Sequence, residues 1–270
     1  MKQCNNYIED GRVIIEKKKF KDRAIRWFQV YINLAFIRWA NIRNEWYFHI
    51  LLTPLFPLGL LTFLKLSGAI ENPAYALYIT AGNSIMSLII GPMQSISNDL
   101  ALNRERKDLD FLATLPISKL QLILGFTTIS TIFTIPGMLL TLIIGKIWLK
   151  FPVVIHPLMI VVMLVSGLSM VGVGVFFGVH ARNIHHANIM NTLALMAVTF
   201  LSPVLIPKEN LPKLLFYISR LFPTSYAADA LRAVLLGTIN KQFYINMSFL
   251  LVFTFITLYL SIKKLDWRIE

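Results

Sequence analysis

Chemistry in a protein needs polar groups that converge, so the histidine-bearing and charged stretches of the chain come first. His180, His185 and His186 gather around Arg182. No carboxylate or cysteine lies beside them to complete the three or four ligands that a bound metal requires. A polar interfacial loop fits this segment better than a metal centre. A phosphate-cradling loop would read G-x-x-x-x-G-K-[ST]. Here Gly145-Lys146 follows Leu140 where the first glycine belongs, and Ile147 replaces the hydroxyl residue. Neither a G-x-S-x-G nucleophile turn nor an H-E-x-x-H zinc helix occurs. The sequence therefore assigns no catalytic residue, no metal and no cofactor to this chain.

Two other stretches carry charge in a patterned way. Asp99–Lys119 holds eight charged residues, followed within it by Leu109, Phe111, Leu112 and Leu115 and ended at Pro116. The pattern predicts a short helix with a charged and an apolar face, terminated because the residue before proline is pushed out of helical geometry. Such a helix suits docking of a partner. Ile206–Gly237 is too apolar for a solvated loop and too charged and proline-broken to cross a bilayer. Leu211–Phe222 is amphipathic and Pro223 breaks it. Thr224-Ser225 can cap a second helix through side-chain oxygens, and that helix ends at Gly237. Asp229 and Arg232 fall three apart on one side of it. An Asp or Arg at the bilayer centre costs about 2.5–3.5 kcal/mol on an insertion scale. A hairpin dipping part-way into the outer leaflet, with the two charges paired or near the interface, avoids most of that cost. Ser225 is then expected to be reachable from outside.

The elements that position these stretches follow from composition. Hydrophobic residues make up 56% of the 270 and charged residues 15%, with mean hydropathy +0.63. Soluble domains average about 25% charged, so the chain reads as a polytopic helical membrane protein. Runs of roughly 20 apolar residues, enough to cross the hydrocarbon core, recur as six spans: Phe48–Leu66, Tyr75–Ile96, Leu120–Ile147, Val153–Val179, Asn188–Ile206 and Phe243–Ile262. Gly91-Pro92 and Pro136-Gly137 are expected to open the helical ladder locally. In span four, Gly174 and Gly178 form a small-xxx-small pair that lets another helix approach closely. The pair reads as packing within the chain rather than as a dimer face. The spans carry almost no acids, so an ion-coupled relay lacks its usual carboxylates.

The formal net charge is +12, and ten of the 26 Lys and Arg precede Trp46. Basic residues otherwise sit at the ends of apolar runs, which argues for membrane orientation rather than nucleic-acid binding. The side holding both termini carries 18 of them and the other side 8, so both termini are placed in the cytosol. Residues 22–46 repeat apolar side chains every three or four positions, interrupted by polar ones. With Trp27, Trp39, Trp46 and four arginines, they predict an amphipathic helix lying in the membrane plane. Residues 1–21 form a cytosolic arm and 266–270 a cytosolic tail. A single cysteine, Cys4, excludes an intramolecular disulfide. No removable signal peptide is recognised.

Two stretches resemble the ABC-2 type permeases, the membrane subunits of ATP-driven exporters that include daunorubicin-type drug exporters. The first is Glu105-Arg106 with Leu109, Asp110, Leu112, Leu115-Pro116-Ile117-Ser118 and Gly125. The second is Pro203, Ile206-Pro207, Leu211-Pro212, Phe222-Pro223, Tyr226, Asp229, Leu231-Arg232 and Gly237. Lys107-Asp108-Leu109-Asp110 stands where the family often has Glu-Gly-Thr-Leu-Glu. The resemblance implies a six-span membrane domain over 47–265, after a connecting helix at 22–46. It implies a coupling helix near 104–115, with Arg104, Glu105, Arg106, Leu109, Asp110 and Leu112 facing the ATPase. It also implies an outer re-entrant hairpin near 207–237 built on Pro212, Pro223, Tyr226, Asp229 and Arg232. Its partners would be two copies of an ABC ATPase that hold ATP and Mg, a second copy of the permease, and membrane lipid. The site would be a bacterial cytoplasmic membrane. Its cargo would be a hydrophobic or amphipathic drug, peptide, lipid or lipid-linked glycan. The alternatives are an ATPase-independent channel or carrier, or a membrane enzyme, which would need convergent polar groups inside the spans.

Overall fold

A computed structural model describes residues 23–43, 46–68, 70, 72–152, 154, 156–202, 204 and 211–264. The expected arm at 1–21, the tail at 266–270 and the motif residues Pro203, Ile206 and Pro207 lie outside them. The described residues fold as helices alone. In chain order these are α1 (residues 23–42), α2 (Trp46–Leu52), α3 (Leu55–Leu66), α4 (Pro73–Glu105), α5 (Asp108–Thr114), α6 (Lys119–Leu149), α7 (Leu158–Ser169), α8 (Val171–His180), α9 (Ile184–Leu201), α10 (Lys213–Ser219), α11 (Pro223–Leu235) and α12 (Lys241–Lys264).

Local chemistry sets the helix starts. Asn72 accepts from Tyr75 N at 2.8 Å and Pro73 occupies the first turn of α4, where the missing N–H is harmless. Ser118 and Gln121 form a reciprocal capping box at α6, satisfying two otherwise orphaned donors. Asn183 caps α9 by accepting from His186 N at 2.8 Å.

Among the described residues, five stretches are long and apolar enough to cross a membrane: α4, α6, α7 with α8, α9 and α12. The first expected span is divided by Thr53-Pro54 into the seven-residue α2 and the twelve-residue apolar α3. The expected openings at Pro92 and Pro136 do not end the helices: α4 and α6 continue through both. One missing N–H removes a single bond from a ladder of about thirty residues whose neighbours hold it. The expected fourth span breaks instead at Met170, whose backbone (φ −102°, ψ 3°) leaves the helical basin.

The 33-residue α4 is the axle of the bundle, with α6, α7, α8, α9 and α11 all packing on it. Its most apolar window is 72% buried, against 17% for α9 at the rim. Two apolar clusters divide its length. Ile85, Leu88, Ile89 and Met93 meet Met138, Leu231 and Val234 towards one end. Ile96 and Leu100 meet Leu34 of α1, Leu109 of α5, Leu122, Phe126 and Val175 towards the other. Gly174 and Gly178 face α4 at backbone contact. A Cβ at Gly174 would stand 2.3 Å from Met93 O, and one at Gly178 would stand 2.7 Å from Ser97 O. Gly174→Val should therefore destabilise the bundle by about 1–3 kcal/mol or more, the usual effect of overpacking. Gly59→Ala, with open space around it, should not. Thermal unfolding of the two variants in detergent checks this, and equal stability would contradict the close approach.

Candidate functional site

Between α9 and α12, residues 211–240 hold two helices, α10 and α11, joined by a short turn. Pro212 stands at the N-cap position of α10 and Pro223 at the first position of α11. The expected caps behave differently. Because Pro223 starts the helix, Phe222 takes the N-cap position and supplies no side-chain bond. Thr224 and Ser225 turn inward, and Ser202 Oγ bonds Thr224 Oγ1 at 2.8 Å and Ser225 Oγ at 2.9 Å. Ser225 Oγ also donates to Ser219 O at 2.9 Å. These hydroxyls pin α11 to the ends of α9 and α10, so Ser225 is buried rather than reachable. The exposed tip of the turn is Leu221. Tyr226 stacks on Phe249 of α12 with ring centroids 3.8 Å apart.

Asp229 and Arg232, one helical turn apart, pair at 3.0 Å. Arg232 is 7% exposed, and its guanidinium reaches further than the pair. Nε and Nη2 donate to Tyr78 O at 3.3 and 3.1 Å, and Nη2 also donates to Val204 O. The guanidinium lies over the Tyr78 ring, 3.3 Å from its centroid, where the ring's negative face attracts the cation. This fork of donors ties α11, the chain after α9 and the first turns of α4. Gly82 makes room for it, since a Cβ there would fall 2.0 Å from Val204 O and 2.8 Å from Arg232 Nη2. The Asp229–Arg232 spacing is visible in sequence. Two of the remaining acceptors are backbone carbonyls, which no residue pattern announces.

The charged stretch lies at the other end of α4. Arg104 and Glu105 do not belong to the short helix expected near 104–115. No breaker interrupts Leu100–Glu105, so α4 continues through them, and α5 starts only after Lys107 turns left-handed (φ 61°). Arg104 Nη1 donates to Val179 O, and Glu105 Oε2 accepts from Ile184 N at 3.2 Å. Both therefore fasten α4 to the α8–α9 connection. On α5, Leu109 is buried and Leu112 packs beside it. Arg106 and Asp110 are exposed, as is Phe111 at 66%. The histidines serve the same connection: His186 Nδ1 accepts from Arg182 N at 3.3 Å, and His180 Nδ1 meets Phe176 O at 2.8 Å.

A third cluster escaped the sequence reading. Arg38 of α1 pairs with Asp99 of α4 at 2.8 Å and donates to Ser95 Oγ at 2.7 Å, and Ser95 in turn bonds Ser130 of α6. Tyr31 OH donates to Thr128 Oγ1 at 2.9 Å, and Gln121 Nε2 to Trp27 O at 2.9 Å. The tryptophans and arginines of α1 suggested a helix on the lipid boundary, but Arg38 is turned to protein. The available signal was Asp99, an acid at the end of an apolar run.

With only helices and five membrane-length stretches among its described residues, the chain is a multi-pass membrane protein. The charges just described fasten helices to one another. Residues 28–236 match the ABC-2 type transporter family, and the chain belongs to it. It is thus the permease subunit of an ABC transporter, a transport subunit of a family that typically works with an ABC ATPase partner. Comparison with curated proteins gives no match.

Removing the guanidinium takes away the charge partner of the half-buried Asp229 and the bonds to two backbone carbonyls. Arg232→Ala should cost on the order of 3–5 kcal/mol, as other broken buried ion pairs do. Arg232→Lys should recover only part of this, because one ammonium lacks the planar fork. Thermal unfolding in detergent measures both, and a stable Arg232→Ala variant would contradict the clasp.

Proposed function

We propose that this chain is the membrane half of an ATP-driven exporter in a bacterial cytoplasmic membrane. It crosses six times, with α2–α3 as the first crossing and both termini in the cytosol. Two copies assemble with two ABC ATPases, which hold ATP and Mg. Residues 22–46 form the connecting helix on the cytosolic boundary, after the arm at 1–21. Residues 47–265 form the membrane domain, and 266–270 the tail. α5 is the coupling helix, and α10–α11 form the re-entrant hairpin that lids the outer end. The cargo is a hydrophobic or amphipathic drug, peptide, lipid or lipid-linked glycan.

The observation that carries this reading is the length and anchoring of α4. Its 33 residues span about 50 Å at 1.5 Å per residue, against a hydrocarbon core of about 30 Å. Its charged end must therefore project from the membrane, carrying α5 to where an ATPase can dock. Leu109 and Leu112 hold α5 to the bundle, while Asp110 and Phe111 face away from it. Closure of the ATPase dimer would press on that outward face. Through Leu109, and through Arg104 and Glu105 on the α8–α9 connection, the push reaches α4 and α8 together. The Arg38–Asp99 pair makes α1 follow. At the far end the Arg232 fork makes the hairpin follow, and a route opens between the two permease copies.

The docking face gives the test. Phe111→Ala should weaken co-purification of the ATPase at least about tenfold, as loss of a central aromatic anchor does, with little change in unfolding temperature. Charge reversal at Arg106 should lower substrate-coupled ATP hydrolysis. Normal coupling in a variant with residues 104–110 scrambled would overturn the reading. Uptake by vesicles containing this chain alone would favour an ATPase-independent carrier.

A further inference from the structure

Residues three and four apart share a face of a helix, and by that rule α1 has three. Tyr31, Leu34, Arg38 and Ile42 turn to protein, with Leu34 and Ile42 buried. Ile25, Phe28, Ile32 and Phe36 form a second, apolar stripe that is exposed throughout. Arg26, Gln29 and Asn33 form a third, also exposed. The helix is locked against rolling by Arg38 on Asp99 and Tyr31 on Thr128. Gly125 of α6 admits it closely, since a Cβ there would stand 3.0 Å from Leu34 Cβ and 3.3 Å from Ala35 N. Contacts advance together along the two helices, from Trp27 O on Gln121 Nε2 to the Trp39 ring stacked on Phe133 at 5.3 Å. α1 therefore runs alongside the first half of α6 in the same direction, and its start lies level with the start of α6. The 31 residues of α6 span roughly 46 Å at 1.5 Å per residue, against a hydrocarbon core of about 30 Å. The starts of both helices thus stand at headgroup level, and the apolar stripe of α1 leads inward from there.

Charge at that level has one sign. Residues 23–43 hold Arg23, Arg26, Arg38 and Arg43 and no acid. Of these, only Arg38 has an acidic partner among the described residues. Lys17, Lys18, Lys19 and Lys21 precede them, outside the described residues, so that six of the ten residues 17–26 are basic and one, Asp22, is acidic.

We propose that residues 17–26 bind the headgroups of anionic membrane lipids, while Ile25, Phe28, Ile32 and Phe36 lie among the acyl chains of the same lipids. Only a lipid meets both surfaces at once, offering an anion beside an apolar tail. A zwitterionic headgroup matches less well, because its own cation cancels the phosphate. Basic residues next to an amphipathic helix each raise the local concentration of anionic lipid on the order of fivefold. The consequence passes inward through Arg38, whose bond to Asp99 makes lipid that holds α1 also steady the charged end of α4. The inference rests on the exporter reading only for the side of the membrane on which α1 lies.

The experiment uses the full permease with its ATPase in phosphatidylcholine nanodiscs. In a Cys4→Ser background the exposed Ala24 is converted by Ala24→Cys and carries a bimane fluorophore. Equal small amounts of spin-labelled phosphatidylglycerol or phosphatidylcholine, with matched chains and the label near the headgroup, are added as quenchers. At low salt phosphatidylglycerol should quench about tenfold more strongly, less than two fully engaged cations would give. The difference should shrink at high salt, where exposed charges are screened. Replacing Lys17, Lys18, Lys19 and Lys21 together by Gln should remove most of it, and Arg26→Gln should lower it roughly twofold to fivefold. Bimane on Leu221→Cys, at the other end of the bundle, should show no preference in any of these chains. Equal quenching by the two lipids at low salt, or a preference unchanged in the Gln variants, overturns the proposal. Loss of ATPase co-purification in the Gln variants with the lipid preference intact would give the basic run to the ATPase and overturn it too. ATP hydrolysis in the same discs separates the two readings. Coupled hydrolysis without a lipid preference removes only this site, and a lipid preference without coupled hydrolysis removes only the exporter.

Discussion

A guanidinium inside an apolar helix bundle is stable only when its N–H groups find acceptors and its charge finds a counter-charge. Arg232 meets that demand with Asp229, the carbonyls of Tyr78 and Val204, and the face of the Tyr78 ring. The requirement runs in both directions. The arginine needs α4, α11 and the chain after α9 within one hydrogen-bond length of each other, and that closeness in turn requires glycine at position 82. Much of the arrangement at this end of the molecule follows from satisfying one side chain. The buried hydroxyls of Ser202, Thr224 and Ser225 complete the same joint.

The opposite end of α4 is organised by the same physics with different residues. Arg38 and Asp99 tie α1 to α4, and Arg104 and Glu105 tie α4 to the α8–α9 connection. Leu34 and Leu109 insert into a shared apolar cluster. A long, mostly buried helix with polar joints at both ends resists bending, because bending it would break close contacts such as those at Gly174 and Gly178. On the proposed reading, this is how a push at α5 would pass to α10 and α11.

Much of this was legible in the residues. Apolar run length marked the membrane-length helices, and the proline-broken, charged stretch ending at Gly237 marked two helices rather than one span. The order of prolines, acid and arginine there carried the family resemblance. What was hidden has physical reasons. Backbone carbonyls such as Tyr78 O and Val204 O have no sequence signature. Arg104 and Glu105 read as the start of a separate short helix until α4 proves long enough to contain them. The division at Met170 has no proline or glycine at its centre, while Pro92 and Pro136 sit inside continuous helices. Ser225 resembles a capping residue, but Pro223 moves the helix start and turns its hydroxyl inward.

The central claim is that α5 and the α10–α11 turn lie on opposite sides of the membrane, joined by α4. Cysteine accessibility tests it most directly. In a Cys4→Ser background, the exposed positions are converted singly to Leu221→Cys and Phe111→Cys. Intact cells are then treated with a membrane-impermeant maleimide. The account predicts that Leu221→Cys is labelled in intact cells and Phe111→Cys only after the membrane is permeabilised. Labelling of both from the same side would contradict it.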